Sequence, residues 1–141
     1  SLAGNINMIW SLYIVWKDEN NTGIPIIDEQ HRSIVSNINS LYYFIQKSES
    51  EDFVNSILDT LKQYTEIHFS TEEELIKDAN YPEIDKHISY HRAFNNKVAK
   101  MWNEPDDDYK VINTVKFLRQ WWMHHINNED IKYVPYIKNN L

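Results

Sequence analysis

Six histidines occur in the chain. Five of them, His31, His68, His87, His91 and His125, fall together with Glu72 at positions where a helical repeat would place apolar residues, and a second carboxylate, Asp130, lies near the end of the last of these stretches. His68 and Glu72 are four apart, as are His87 and His91, so each pair projects from one helix face toward a common point. Buried singly and unpaired, such side chains are costly; gathered around a cation they become ligands. The chain has no cysteine, which excludes disulfides, thiolate zinc sites and cysteine-ligated iron–sulfur clusters, so any metal must be held by nitrogen and oxygen. Five imidazoles and two carboxylates exceed the roughly four to six ligands of one first-row ion and suit two, with each carboxylate able to bridge. Imidazole suits iron, copper, nickel and zinc, so ligand chemistry alone leaves the metal open.

The elements that must position these donors are helices. Only two glycines and four prolines occur, too few for the frequent turns of an all-β chain. Asp28 is placed to cap a first helix over roughly residues 28–47, whose buried stripe is His31, Ile34, Ile38, Leu41 and Ile45. Ser48 and Glu51 have the spacing of a capping box, so a second helix is expected to run to roughly residue 79 with Val54, Ile57, Leu61, Tyr64, His68, Glu72 and Leu75 inward. Pro82 suits the first turn of a third helix reaching roughly residue 102, with Ile84, His87, His91, Phe94, Val98 and Met101 on one face. The acidic run Asp106–Asp108 reads as a loop leading into a fourth helix over roughly residues 108–130, carrying Val111, Val115, Leu118, Trp122 and His125. Pro135 is expected to end it.

Short connections force sequence neighbours to pack antiparallel, so the expected architecture is all-α, an up-down-up-down four-helix bundle. That order tests the metal hypothesis. His31 lies near the start of helix one, His68 and Glu72 near the end of helix two, His87 and His91 near the start of helix three, and His125 with Asp130 at the end of helix four. All are one end of the bundle. The expected organisation is an N-terminal arm over roughly residues 1–27, in which the apolar stretch Met8–Trp16 packs on the domain, a bundle over 28–133 and a tail over 134–141.

A formal charge of −7 and a pI near 5.3 would repel a phosphate backbone, so nucleic acid is not an expected partner. The stretch Met8–Trp16 is too short to span a bilayer and has no basic lead-in, so no membrane contact and a cytoplasmic location are expected.

With the ligand set and topology in place, the motifs Ile27-Asp-Glu-Gln-His31, His68-Phe-Ser-Thr-Glu72, Tyr81-Pro with His87-x-x-x-His91, and Trp121-x-x-x-His125-Ile126 followed by Asp130 resemble those of the hemerythrin family, most of all its bacterial members. The resemblance implies a non-haem di-iron centre that binds dioxygen reversibly, as carrier, store or sensor, with an oxo or hydroxo group between the irons. It also implies the ligand roles. His87, His91 and His125 would hold one iron and His31 and His68 the other, Glu72 and Asp130 would bridge, and oxygen would bind to the iron with fewer imidazoles. Fusion to a signalling module, seen among such domains, is compatible with a chain that begins at Ser1.

Phe69, Trp121, Trp122 and Ile126 flank the ligands at helical spacing and are candidates to line a dry pocket. His124, turned by about 100° from His125, is assigned to the surface or to a supporting role. Glu73, Glu74 and Glu129 read as solvated helix charges, the alternative being that one of them hydrogen-bonds a ligand histidine, and Met8, Met101 and Met123 as gap fillers. The alternative function is an enzyme using the same centre on peroxide, nitric oxide or ferrous iron; no further carboxylate or tyrosine is placed at the oxygen-binding iron by a recognisable pattern, so no enzymatic activity is expected.

Overall fold

The computed structural model describes residues 11–105 and 109–140. Residues Met8–Trp10 of the expected arm and the loop residues Asp106–Asp108 lie outside the described residues. After a single 3-10 turn at Asp18–Asn20 come α1 (Pro25–Gln46), α2 (Glu51–Asp78), α3 (Ile84–Trp102) and α4 (Lys110–His124), then a π-helical turn (His125–Asp130) that runs straight into α5 (Ile131–Asn139). No strand occurs among the described residues. Each of α1 to α4 packs on its sequence neighbours and α4 returns to α1, which closes the four-helix bundle. No helix among the described residues is long and apolar enough to cross a membrane.

The core is divided in two. A larger cluster holds Ile34, Val35, Ile38 and Leu41 of α1, Leu61 and Phe69 of α2, Phe94 of α3, and Val115, Leu118 and Trp122 of α4 with Ile126 beyond it. A smaller one holds Ile27, Ile76, Tyr81, Tyr133 and Ile137. Five of the candidate donors fall between the two along their helices: His31 between Ile27 and Ile34, Glu72 between Phe69 and Ile76, His87 and His91 between Tyr81 and Phe94, Asp130 between Ile126 and Tyr133, while His68 and His125 stand next to Phe69 and Ile126 at the edge of the larger cluster. The donor layer is therefore sealed by hydrocarbon above and below, where water would have to cross apolar packing to reach it.

Several local expectations are corrected. α1 starts at Pro25, not at Asp28, because proline in the first turn loses no hydrogen bond. Asp28 is not the cap residue; it lies buried inside the first turn and accepts from Thr22 N (2.7 Å), Thr22 Oγ1 (2.8 Å) and Gly23 N (2.9 Å), tying the lead-in to the helix. Gly23, at φ +82°, makes the turn that brings those donors round. The Ser48/Glu51 capping box does not form. Ser48 instead takes a left-handed conformation (φ +56°) that closes α1, and Ser50 caps α2 by accepting from Phe53 N at 3.2 Å. Tyr64 is 45% exposed and Thr65 takes its place inside, its hydroxyl donating to Leu61 O at 2.8 Å; at a drift of 3.6 residues per turn, position 65 rather than 64 continues the stripe between Leu61 and His68. Leu75 is half-buried, while Ile76 beside it is sealed. Pro82 precedes α3 in a turn instead of starting it, with Glu83 as the cap residue.

The largest correction concerns the chain end. Pro135 does not end the last helix but sits within α5. The carbonyl whose partner it removes belongs to Ile131, a residue 53% exposed, where solvent can take over. α5 buries Tyr133 and Ile137 and so completes the smaller cluster. At the other end, Ile14 is buried and its backbone makes a two-way bond with the Asn39 amide (2.7 and 2.9 Å), while Tyr13 stacks on Tyr42.

The two serines respond oppositely to substitution. Ser50→Ala removes a cap and is expected to cost about 1 kcal/mol; Ser48→Gly relieves a left-handed residue and is expected to stabilise by roughly 0.5 kcal/mol. Urea melts of both variants check this, and a Ser48 variant that destabilises as a lost cap would contradict it.

Candidate metal centre

Each helix delivers its donors by its own periodicity until the last. His68 and Glu72 share one face of α2, and His87 and His91 one face of α3, by four-residue spacing. His125 and Asp130 are five apart. In an α-helix that spacing would turn them roughly 140° away from each other, and Asp130 would face outward. The π-helical turn over exactly these residues' span widens the coil so that both point inward, with His125 Nε2 lying 3.0 Å from Asp130 Oδ1.

The seven side chains converge in two groups, Glu72, His87, His91 and His125 on one side and His31, His68, Glu72 and Asp130 on the other, all buried. The two carboxylates divide their oxygens between them. Glu72 Oε2 lies 3.1 Å from His68 Nε2 and 3.9 Å from His31 Nε2, whereas Glu72 Oε1 lies 3.0 Å from His91 Nε2, 3.8 Å from His125 Nε2 and in close contact with His87 Nε2. Asp130 repeats the pattern: Oδ2 is 3.0 Å from His31 Nε2, and Oδ1 is 3.2 Å from His87 Nε2 and 3.0 Å from His125 Nε2.

His87 Nε2 forms a hydrogen bond with Glu72 Oε1, but several of the other contacts do not qualify as one. His31 Nε2, His68 Nε2 and both oxygens of Asp130 are sealed from solvent and lack a partner of acceptable geometry, although a polar atom stands about 3 Å from each. Lone pairs aimed at a shared point explain this, since atoms bound to one first-row ion at about 2.1 Å and at right angles lie about 3.0 Å apart. Nitrogen and oxygen donors in this number and spacing fit two transition-metal ions.

The outer nitrogens of two imidazoles are also held, whereas His31 Nδ1 has no hydrogen-bond partner among the described residues. His68 Nδ1 donates to the Gln30 side-chain carbonyl (2.9 Å), whose amide nitrogen donates to Thr71 Oγ1 (3.1 Å). His91 Nδ1 donates to Glu73 Oε2 (3.0 Å). Each bond puts the proton on Nδ1 and leaves Nε2 with its lone pair toward the centre. For Glu73 the alternative reading holds, a hydrogen bond to a histidine of the cluster instead of a solvated charge, while nothing in the sequence pattern marks Gln30. Both stand one residue from a donor, where a helix turns the side chain toward its neighbour. Tyr133, whose hydroxyl donates to Glu72 Oε2 at 3.1 Å, was hidden by the expectation that the helix ends near Pro135. His124 is exposed and lies outside the cluster, close to Asn128, and Glu129 pairs with Lys132.

The electrostatics follow from burial and charge pairing. Burial alone would raise the Glu72 carboxyl, but His68, His125 and His87 outweigh it and hold it well below the usual range. Asp130 is lowered too, against both burial and the Glu72 charge, by His125 and His31. Burial disfavours the His87 and His125 cations, yet the same two carboxylates push them up to about 9 and about 10. His68 goes the other way, because burial wins. Burial and the carboxylates raise Tyr133 well above its ordinary value, so it stays a proton donor to Glu72.

Aromatic rings enclose the imidazoles. Phe69 stacks on His91 (3.8 Å between centroids, 8° between planes) and Trp121 on His125 (4.4 Å, 12°), while Trp122 lies 5.7 Å from His68 and Ile126 is buried beside them.

A family model described as the hemerythrin HHE cation binding domain matches residues 22–137. Bacteriohemerythrin of Stenotrophomonas maltophilia (strain R551-3) is 34% identical over 131 residues, covering 91% of this chain and 84% of its own length. Bacteriohemerythrin of Clostridium acetobutylicum is 32% identical over 127 residues, covering 85% of this chain and 98% of its own. The crystal structure of a hemerythrin point mutant superposes with a TM-score of 0.78 over 90% of this chain and 98% of that one, at 22% identity. A match over most of the chain, on a bundle whose buried donors meet at one level, places the protein: it belongs to the hemerythrin family.

Proposed function

We propose that the seven buried donors hold two iron ions, with a solvent-derived oxygen between them, and that the protein binds dioxygen reversibly at this pair without turning it over. The observation that carries the reading is the division of both carboxylates between a group with three imidazoles and a group with two. Such a set leaves the ion beside His31 and His68 with fewer protein ligands, and so with a coordination position for a small ligand. Two ferrous ions, when bound, supply the electrons that make dioxygen a ligand.

The rest is the work of the chain. Gln30 and Glu73 fix the tautomers of His68 and His91, so that neither imidazole has to be reoriented to accept an ion. Tyr133 holds Glu72 from behind and keeps its own proton. The two hydrophobic clusters exclude water and, with it, the stray protons that would draw bound oxygen toward irreversible reduction. Few carboxylates among many neutral imidazoles favour binding over cleavage of the oxygen bond.

Adding oxygen to anaerobically reduced, iron-loaded protein is expected to produce a visible charge-transfer band that fades when oxygen is removed. His68→Ala is expected to abolish the band and His124→Ala to leave it. Equal loss in both would overturn the ligand assignment, and continuous oxygen consumption over many turnovers would favour the enzymatic alternative.

Metal uptake should depend on pH in a stated direction. His87 and His125 hold protons at pH 7 in the metal-free protein, and ligation must release them, so apparent affinity should rise steeply from about pH 6 to about pH 8. For the metal-free chain the sign is opposite. Its raised histidines contribute stability fully below their ordinary value of 6.5 and lose it as pH climbs through about 9 and about 10, while the lowered carboxylates contribute above 4.5 and lose it in acid. His68 opposes them as one group against two. Thermal melts should therefore place maximal metal-free stability between about pH 4.5 and 6.5, with the gain from metal increasing at higher pH. Parallel curves with and without metal would contradict this.

A further inference from the structure

Trp122 is completely buried, and its indole Nε1 has no acceptor among the described residues. An indole nitrogen can only donate, so neither a rotation nor a change of tautomer satisfies it. Leaving a donor unpaired in a dry core is destabilising, and native interiors rarely do so without a reason. The neighbouring rings give it little: Phe69, Phe94 and Trp121 surround it at 5.5, 5.6 and 5.1 Å between centroids and carry no acceptor oxygen.

Among the described residues the polar ring that meets it is His68, at 5.7 Å. His68 belongs to the two-imidazole group, the side with fewer protein donors, while the ring stacked on His125 of the other group is Trp121. Two adjacent tryptophans therefore serve different halves of the centre. Trp121 packs by its face; Trp122 places its ring 5.7 Å from that of His68 with its N–H unused. Phenylalanine or leucine, though smaller, would supply apolar packing there without burying a donor.

We infer that the Trp122 indole N–H is a hydrogen-bond donor for the small ligand beside His68, selecting acceptors such as anions and electron-rich dioxygen and slowing their release. The inference rests on the reading of the centre given above and adds to it a residue that distinguishes one small ligand from another. A neutral, weakly accepting diatomic would gain little from the contact. A hydrogen bond to a charged acceptor is worth roughly tenfold to a hundredfold in affinity.

The test uses azide, a small linear anion, with the oxidised iron-loaded protein. Trp122→Phe is expected to weaken azide binding by roughly tenfold or more, mainly through faster release, with iron content unchanged and any drop in metal-free melting temperature limited to that of a smaller core side chain. Trp102→Phe, remote from the centre, should bind azide as the parent does. Full azide affinity in an iron-replete Trp122→Phe protein would overturn the inference and leave the proposed function intact. A parent protein that takes up no iron would overturn both. Should the variant not fold, the parent decides: in zinc-loaded, nitrogen-15-labelled protein, the indole N–H with a nuclear Overhauser contact to the His68 ring is expected to move downfield on adding azide, and an unmoved resonance sinks the inference.

Discussion

Two carboxylates, Glu72 and Asp130, are fully buried within one layer of this bundle, and the need to compensate them governs much of the rest. Each ion removed from water carries a penalty of several kcal/mol even after relaxation, and here the two share neighbours and repel each other. In the metal-free protein the compensation comes from His87 and His125, which the carboxylates keep protonated. Cations in the centre would replace those protons with stronger positive charge. The arrangement is thus poised to exchange protons for metal, and neither partner can be removed without stranding the other.

That constraint accounts for features remote from the donors. A layer of charge is tolerable only if its geometry is held, and the holding is done by contacts that would otherwise look incidental. Gln30 and Glu73 secure imidazoles from outside. Tyr133 secures Glu72 from the smaller apolar cluster, so the last helix has to continue past Asp130 to deliver it. The π-helical turn is the device that makes both demands compatible, since it swings Asp130 inward and still lets the chain run on to Tyr133 and Ile137. Asp28, tied to Thr22 and Gly23, performs a similar service for α1 one turn before His31.

Much of this was legible in the sequence, for a physical reason. Histidines and carboxylates inside an apolar stripe are costly, so their positions carried information that isolated surface charges do not, and short loops then forced them to a common end. What could not be read was local. The register of α2 slipped from Tyr64 to Thr65 because apolarity was weighed above helical phase. The capping serine was misassigned because Ser48 and Ser50 carry the same chemistry, and only the backbone decides which is left-handed. The π-turn leaves no composition signal: spacing of five between His125 and Asp130 looks like a poor α-helical pair, and the fit appears only once the coil widens. Pro135 misled because a proline usually ends a helix, yet the carbonyl it orphans here belongs to an exposed residue.

In the proposed centre one ion sits among His87, His91 and His125, another beside His31 and His68, and Glu72 and Asp130 span both. Anomalous diffraction at the iron edge from crystals of the iron-loaded protein tests it directly. Two peaks of comparable height, each nearest its own imidazole group and both within reach of the two carboxylates, are the predicted result. A single peak, or two peaks served by one group with the other imidazoles turned away, would contradict it.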